Sequence, residues 1–250
     1  MSRRRLAALA LAGVACGDAD TGPNTVTSLE FSALPFPAVV AQDTLRDTSG
    51  IAAPLRAIAF NSDNEVILDA PVRYAALERV ISVDSVTGVV VGGAQTDTAA
   101  RVVAFIGGLQ SAPLRLSVVP RPDAIVPSGP IDTLRYSVTD TTLNVSGDLS
   151  VRVVNQASTP NPSVRDWIVT FTLGTPADST KARLENEAQR RSTVDTTSAG
   201  GIAARKIRLF PAGLTSPADS IVVFARARQR GTHIAGSPLR LVLHVRPRVQ

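Results

Sequence analysis

Short runs of valine, leucine and isoleucine recur along this chain, parted by turn residues about every eight to twelve positions, and that spacing admits few folds. In the first half the runs are Val26 to Leu34, Leu55 to Phe60, Val72 to Leu77, Val80 to Val83, Val89 to Val91, Arg101 to Ile106 and Leu114 to Val119. Between them stand Ser62-Asp63-Asn64, Ser85-Val86-Thr87-Gly88 and Gly107-Gly108, residues that accept turn conformations at low steric cost. The one stretch rich in helix formers, Lys181 to Arg191, runs into β-branched residues and glycines, which argues against a long helix. The pattern predicts an all-β sandwich or barrel. Aromatic residues make up only 4% of the chain, so the layers between sheets must be filled by small branched side chains.

A repeat divides the chain in two. Ala112-Pro113-Leu114-Arg115-Leu116-Ser117-Val118-Val119 returns 125 residues later as Ser237-Pro238-Leu239-Arg240-Leu241-Val242-Leu243-His244. A valine-rich segment precedes each copy, Val102 to Phe105 and Ile221 to Phe224, so both halves are expected to finish with the same antiparallel pair. Proline cannot extend a central ladder, and Pro120-Arg121-Pro122 places a boundary near residue 121. The expected domains are 26–121 and 122–250.

The amino-terminal end has a different character. Arg3 to Arg5 precede a ten-residue apolar run, Leu6 to Ala15, and the chain's single cysteine, Cys16, follows. The run is shorter than the roughly 20 apolar residues needed to span a bilayer and has the order of an export signal. Leu11-Ala12-Gly13-Val14-Ala15-Cys16 resembles the lipobox of bacterial lipoproteins, with Gly13 where that motif carries Leu, Val or Ile. The resemblance implies a signal peptide over 1–15, acylation of Cys16 and membrane attachment; plain signal-peptidase cleavage after Ala15 or Ala12 is the alternative. Residues 16–25, small, polar and acidic, are then a tether.

With the leader set aside the charge is close to balanced but unevenly spread. Residues 16–121 hold seven arginines and eleven acids, whereas residues 122–250 hold sixteen basic side chains and ten acids. The second half is the one suited to an anionic partner. One cysteine forms no intrachain disulfide.

Val72-Arg73-Tyr74, then Val80-Ile81-Ser82-Val83-Asp84-Ser85-Val86-Thr87-Gly88-Val89-Val90, resembles the group 2 bacterial immunoglobulin-like domain. Leu149 to Val154, Val164 to Phe171 and Ser198 to Gly201 with the closing valine-rich hairpin resemble the group 1 domain of invasin and intimin. These resemblances imply two tandem Ig-like β-sandwich domains and a spacer, scaffold or adhesion role in a bacterial envelope. Independently of them, alternation over Trp167, Val169, Phe171 and Leu173 puts four large side chains on one face of a strand, so Trp167 is expected to be a core anchor.

Residues for chemistry are sparse. His233 and His244 lack ligand spacing, and no nucleophile elbow or Ser-x-x-Lys motif occurs. Gly92-Gly93, Gly107-Gly108 and Gly200-Gly201 are expected to be hairpin turns, and Asp63, Glu65 and Asp69 solvated turn acids. No catalytic residue, metal or cofactor is expected. One binding constellation stands out: Arg226, Arg228 and Arg230 alternate, with Arg205, Lys206 and Arg208 on another strand of the same half. Guanidinium forks bind phosphate and carboxylate, so the ribbon could hold lipopolysaccharide phosphate, a teichoic-type polymer or a carboxylated glycan; a charged outer face that guards a sheet edge is the plainer reading. Few aromatics interleave with the arginines, which speaks against nucleic acid. The expected partners are therefore the membrane, through lipidated Cys16, and an anionic envelope polysaccharide or another envelope protein.

Overall fold

The computed structural model describes residues 25–175, 177, 180–210 and 220–248. The expected leader, Cys16 and nearly all of the expected tether lie outside them. The protein is all-β: apart from one 3₁₀ turn, Thr141–Leu143, capped by the Asp140 carboxylate, the described residues form strands and loops.

The first half contributes β1 (Ser28–Phe31), β2 (Ala38–Val40), β3 (Ala57–Phe60), β4 (Val66–Ile67), β5 (Arg73–Ala76), β6 (Ile81–Val83), β7 (Val90–Gly92), β8 (Thr98–Ile106), β9 (Leu109–Gln110) and β10 (Leu114–Val119). One sheet has the order β1-β3-β4; the other has β2-β10-β8-β5 with β9 folded back on β8, and β6 and β7 pair beside them. The two larger sheets enclose Leu29, Leu45, Leu55, Val90, Val102, Ala104, Leu116 and Val118, all buried. Tyr74 of β5 bridges them, its hydroxyl accepting a hydrogen bond from the Ala57 amide of β3 at 3.1 Å. That bond satisfies the polar end of an otherwise buried ring.

The second half contributes β11 (Ala124–Pro127), β12 (Leu134–Tyr136), β13 (Leu149–Val154), β14 (Ile168–Thr175), β15 (Ala182–Glu185), β16 (Val194–Thr196), β17 (Ile202–Leu209), β18 (Ser220–Arg226), β19 (Arg228–Gln229), β20 (Thr232–His233) and β21 (Leu239–Pro247). Sheet β11-β13-β17-β15 faces sheet β12-β21-β18-β14-β16. This is an immunoglobulin-like arrangement, with a four-stranded sheet against one built around the last hairpin. Its interior is made by period-two alternation: Leu149, Val151 and Val153 from β13 meet Val169 and Phe171 from β14 and Ile221, Val223 and Ala225 from β18. Burying each such side chain contributes roughly 1.5–3 kcal/mol.

Strand pairings among the described residues stay within 28–119 or within 124–247. Each half ends in the expected antiparallel pair, β8 with β10 and β18 with β21. The register differs from a direct reading of the repeat. Leu114 pairs with Val102 while Leu239 pairs with Ala225, so Val102 corresponds to Ala225 and not to Ile221.

Strands β2 and β12 escaped the periodicity. Each is three residues long, and they run parallel to β10 and β21; so short a run carries no alternation to detect. Gly92-Gly93 is not a hairpin turn. Gly92 ends β7 where the Val40 carbonyl oxygen lies 2.5 Å from the place of a Cβ, so the pair marks a close backbone crossing. Gly107-Gly108 is the two-residue turn between β8 and β9.

Candidate functional site at the joint between the sandwiches

The chain turns from β10 into β11 within the few residues around Pro120 and Pro122, which keeps the two sandwiches close enough to touch. Three sets of side-chain contacts join them. Phe36, which precedes β2, packs on Trp167, which precedes β14, with ring centroids 4.6 Å apart and planes tilted by 54°. Both rings are buried, and the indole Nε1–H donates to the Arg228 carbonyl at 3.1 Å. The Ser117 hydroxyl of β10 donates to Asp166 Oδ2 at 2.6 Å, with Arg165 beside both. Arg230 Nε donates to Asp43 Oδ2 at 2.8 Å.

Asp43 is the hub of the third contact. Its carboxylate also accepts from Arg46 at 3.1 Å and from the Thr44 amide at 2.8 Å. Burial by itself would raise its pKa, but hydrogen bonds from Arg230 and Arg46 outweigh that and hold it at about 2. The same bond raises the Arg230 pKa. Alongside, the backbones of the two sandwiches meet at Gly50 and Gly231, both at positive φ; a Cβ on Gly231 would sit 2.5 Å from the Ser49 carbonyl oxygen.

Trp167 thus takes a place the alternation alone did not indicate. It is buried, as are Val169 and Phe171 on the same face, but it sits at the start of the strand against the first sandwich. Phe171, fully buried, occupies the middle of the core. The signal for a joint residue was the position of Trp167 just before the strand, after Arg165-Asp166.

The six basic residues do not converge. Arg226 ends β18 in one sheet and Arg228 and Arg230 follow on the separate β19–β20 hairpin, whereas Arg205, Lys206 and Arg208 lie on β17 in the opposite sheet. Arg205 is buried, ion-paired to Asp195 at 3.0 Å and bonded to the Val194 carbonyl. Lys206 faces Asp148 at 3.8 Å. Arg208 and Arg183 both donate to Glu185 Oε1, at 2.7 and 2.6 Å, and Glu185 is fully buried. This group is therefore spent on internal neutralisation, because a buried carboxylate needs cations beside it.

On the other sheet the strand breaks at Ala227, and Arg230 stands on the β19–β20 turn at φ +50°, held by Asp43. Arg226 donates to the Thr172 hydroxyl and lies over the Phe224 ring. Arg228 alone of these three has no side-chain hydrogen bond or ion pair among the described residues. The histidines stay apart: His233 Nδ1 contacts the Ser237 hydroxyl at 2.9 Å, and His244 is exposed on β21.

No family model and no curated protein matches the sequence. Among solved structures the chain is similar to the Yersinia pseudotuberculosis adhesin InvE, at 13% identity over 90% of this chain and 61% of that one, TM-score 0.37. It is similar also to the Escherichia coli adhesin FdeC, at 16% identity over 88% and 65%, TM-score 0.33. Domains 4 and 5 of the S-layer protein SbsC align at 12% identity over 88% and 98%, TM-score 0.31. The chain spans about three fifths of the first of these adhesins.

Proposed function

We propose that this chain is a non-catalytic module of a bacterial cell envelope, exported and held to a membrane through acylated Cys16, in which two Ig-like sandwiches act as a spacer or adhesion unit. The observation that supports the spacer reading is the joint. An aromatic pair, a charged hydrogen bond and a serine–aspartate bond, placed at different points, each restrain a different rotation of one sandwich against the other. A free linker would transmit no orientation; a joint pinned at three points presents the far end of the second sandwich in a set direction.

The test uses spin labels on exposed positions, Val86→Cys in the first half and Val138→Cys in the second, in the whole chain carrying Cys16→Ser. A single narrow distance distribution is expected. A broad one would refute the spacer reading. The anchor is tested separately: Cys16→Ser should abolish fatty-acid labelling and sedimentation with membranes, and a variant that keeps both would overturn lipid attachment.

A further inference from the structure

We propose that the cleft between the two sandwiches binds the carboxylate of an acidic sugar, a uronate residue within an anionic polysaccharide. The cleft has a volume of about 310 Å³, at the lower end of the range of roughly 300–1,000 Å³ usual for small-ligand sites, and domain interfaces are a preferred place for them. Phe36 and Thr48 line it from the first sandwich, and Ile168, Thr170, Arg226 and Arg228 from the second.

Its charge is one-sided. None of the lining residues is acidic, and the two carboxylates of the adjoining hollow that Arg228 also lines, Asp43 and Asp47, hold other partners. Asp43 is bound by Arg46 and Arg230, and Asp47 Oδ1 accepts from the Ser49 and Ile51 amides at 2.9 and 3.0 Å. The Arg228 guanidinium, exposed and without a partner among the described residues, is therefore left as an uncompensated fork beside a second arginine. A fork of this kind takes a carboxylate through two parallel hydrogen bonds.

The remaining walls select what the carboxylate is attached to. Thr48 and Thr170 offer hydroxyls that both donate and accept, as sugar hydroxyls require. Ile168 and the small uncovered edge of the Phe36 ring offer apolar surface for the C–H face of a ring. A phosphate chain would use the arginines and leave those four residues without a role. The site adds a ligand to the spacer reading and does not depend on it, since a rigid joint with an empty cleft remains a rigid joint.

Tetragalacturonate is the probe, titrated by calorimetry and by the fluorescence of Trp167, the chain's single tryptophan, into the whole chain in detergent. Saturable binding is expected, weakened at least tenfold by methyl esterification of the probe, which removes the charge and keeps the ring. Arg228→Ser should weaken it about tenfold to a hundredfold, the loss of a charge-assisted pair. Its melting temperature should not change, because the Trp167 indole is held by the residue 228 carbonyl and not by the side chain. Arg228→Lys should restore only part, having charge without the fork. Lys206→Ser, on the opposite sheet, should bind as the unsubstituted chain does. The proposal is overturned by absent binding, by equal binding of the ester, by an Arg228→Ser variant that binds normally, by equal loss in Lys206→Ser, or by tripolyphosphate binding as tightly as the uronate.

Discussion

Asp43 and Arg230 stand 187 residues apart in sequence and 2.8 Å apart in space, joined by a charged hydrogen bond from one sandwich to the other. The bond has the character of a latch more than of a glue. Arg230 is half exposed, so solvent screens the pair and its direct contribution to stability is small. Its value is directional, since it fixes the β19–β20 turn over the loop after β2.

Acid should open this latch. The Asp43 pKa of about 2 in the folded chain lies below the ordinary aspartate value near 3.9. Its contribution is therefore complete above about pH 4 and is lost as pH falls through 2. Asp43→Asn keeps one oxygen to accept from Arg46 and the Thr44 amide but loses the charge and the second acceptor that Arg230 uses, and should lower the unfolding free energy at pH 7 by about 1 kcal/mol, solvent screening the rest. The difference between variant and unsubstituted chain should shrink between about pH 4 and pH 2. Urea titrations at a series of pH values measure it; a difference that grows with acid would contradict the assignment.

The aromatic contact should be the strongest single element of the joint. Trp167→Ala should cost about 3–5 kcal/mol, and Phe36→Ala a comparable amount, because both leave cavities in buried surroundings. The double variant should fall short of the sum by about 0.5–1.5 kcal/mol, the coupling usual for a ring pair. Strict additivity in a denaturation cycle would show that the two rings stabilise their own sandwiches independently.

Glycine substitutions separate strain from contact. Gly107 has φ +56° and nothing within 4 Å of where a Cβ would stand, so Gly107→Ala should cost about 1–2 kcal/mol through the backbone alone. Gly231→Ala, at φ +78°, adds a collision with the Ser49 carbonyl and should push the sandwiches apart as well as destabilise the turn. Small-angle scattering should report a larger radius of gyration for Gly231→Ala and no change for Gly107→Ala; equal radii in the two variants would show that the joint absorbs the collision.

Glu185→Ala should be among the costliest charge substitutions in the second sandwich. It leaves Arg208, largely buried, and Arg183 without their shared carboxylate, and breaking a buried pair in this way costs about 3–5 kcal/mol. Thermal unfolding measures the loss; a variant as stable as the unsubstituted chain would show that water replaces the carboxylate.

What the amino-acid sequence determined by itself is local. Leu149, Val151 and Val153 in one strand, and Val169 and Phe171 in another, declare an inward face because the pleat reverses each side chain in turn. Turn chemistry at Gly107-Gly108 declared a hairpin on equally local grounds, since positive φ is a property of single residues. Tertiary structure alone decided which sheet each strand joined, that Trp167 would meet Phe36, and that of six candidate cations Arg205 would be buried and Arg228 left open. Those outcomes depend on residues brought together from distant parts of the chain, and a charge is free or neutralised only by what the fold sets beside it.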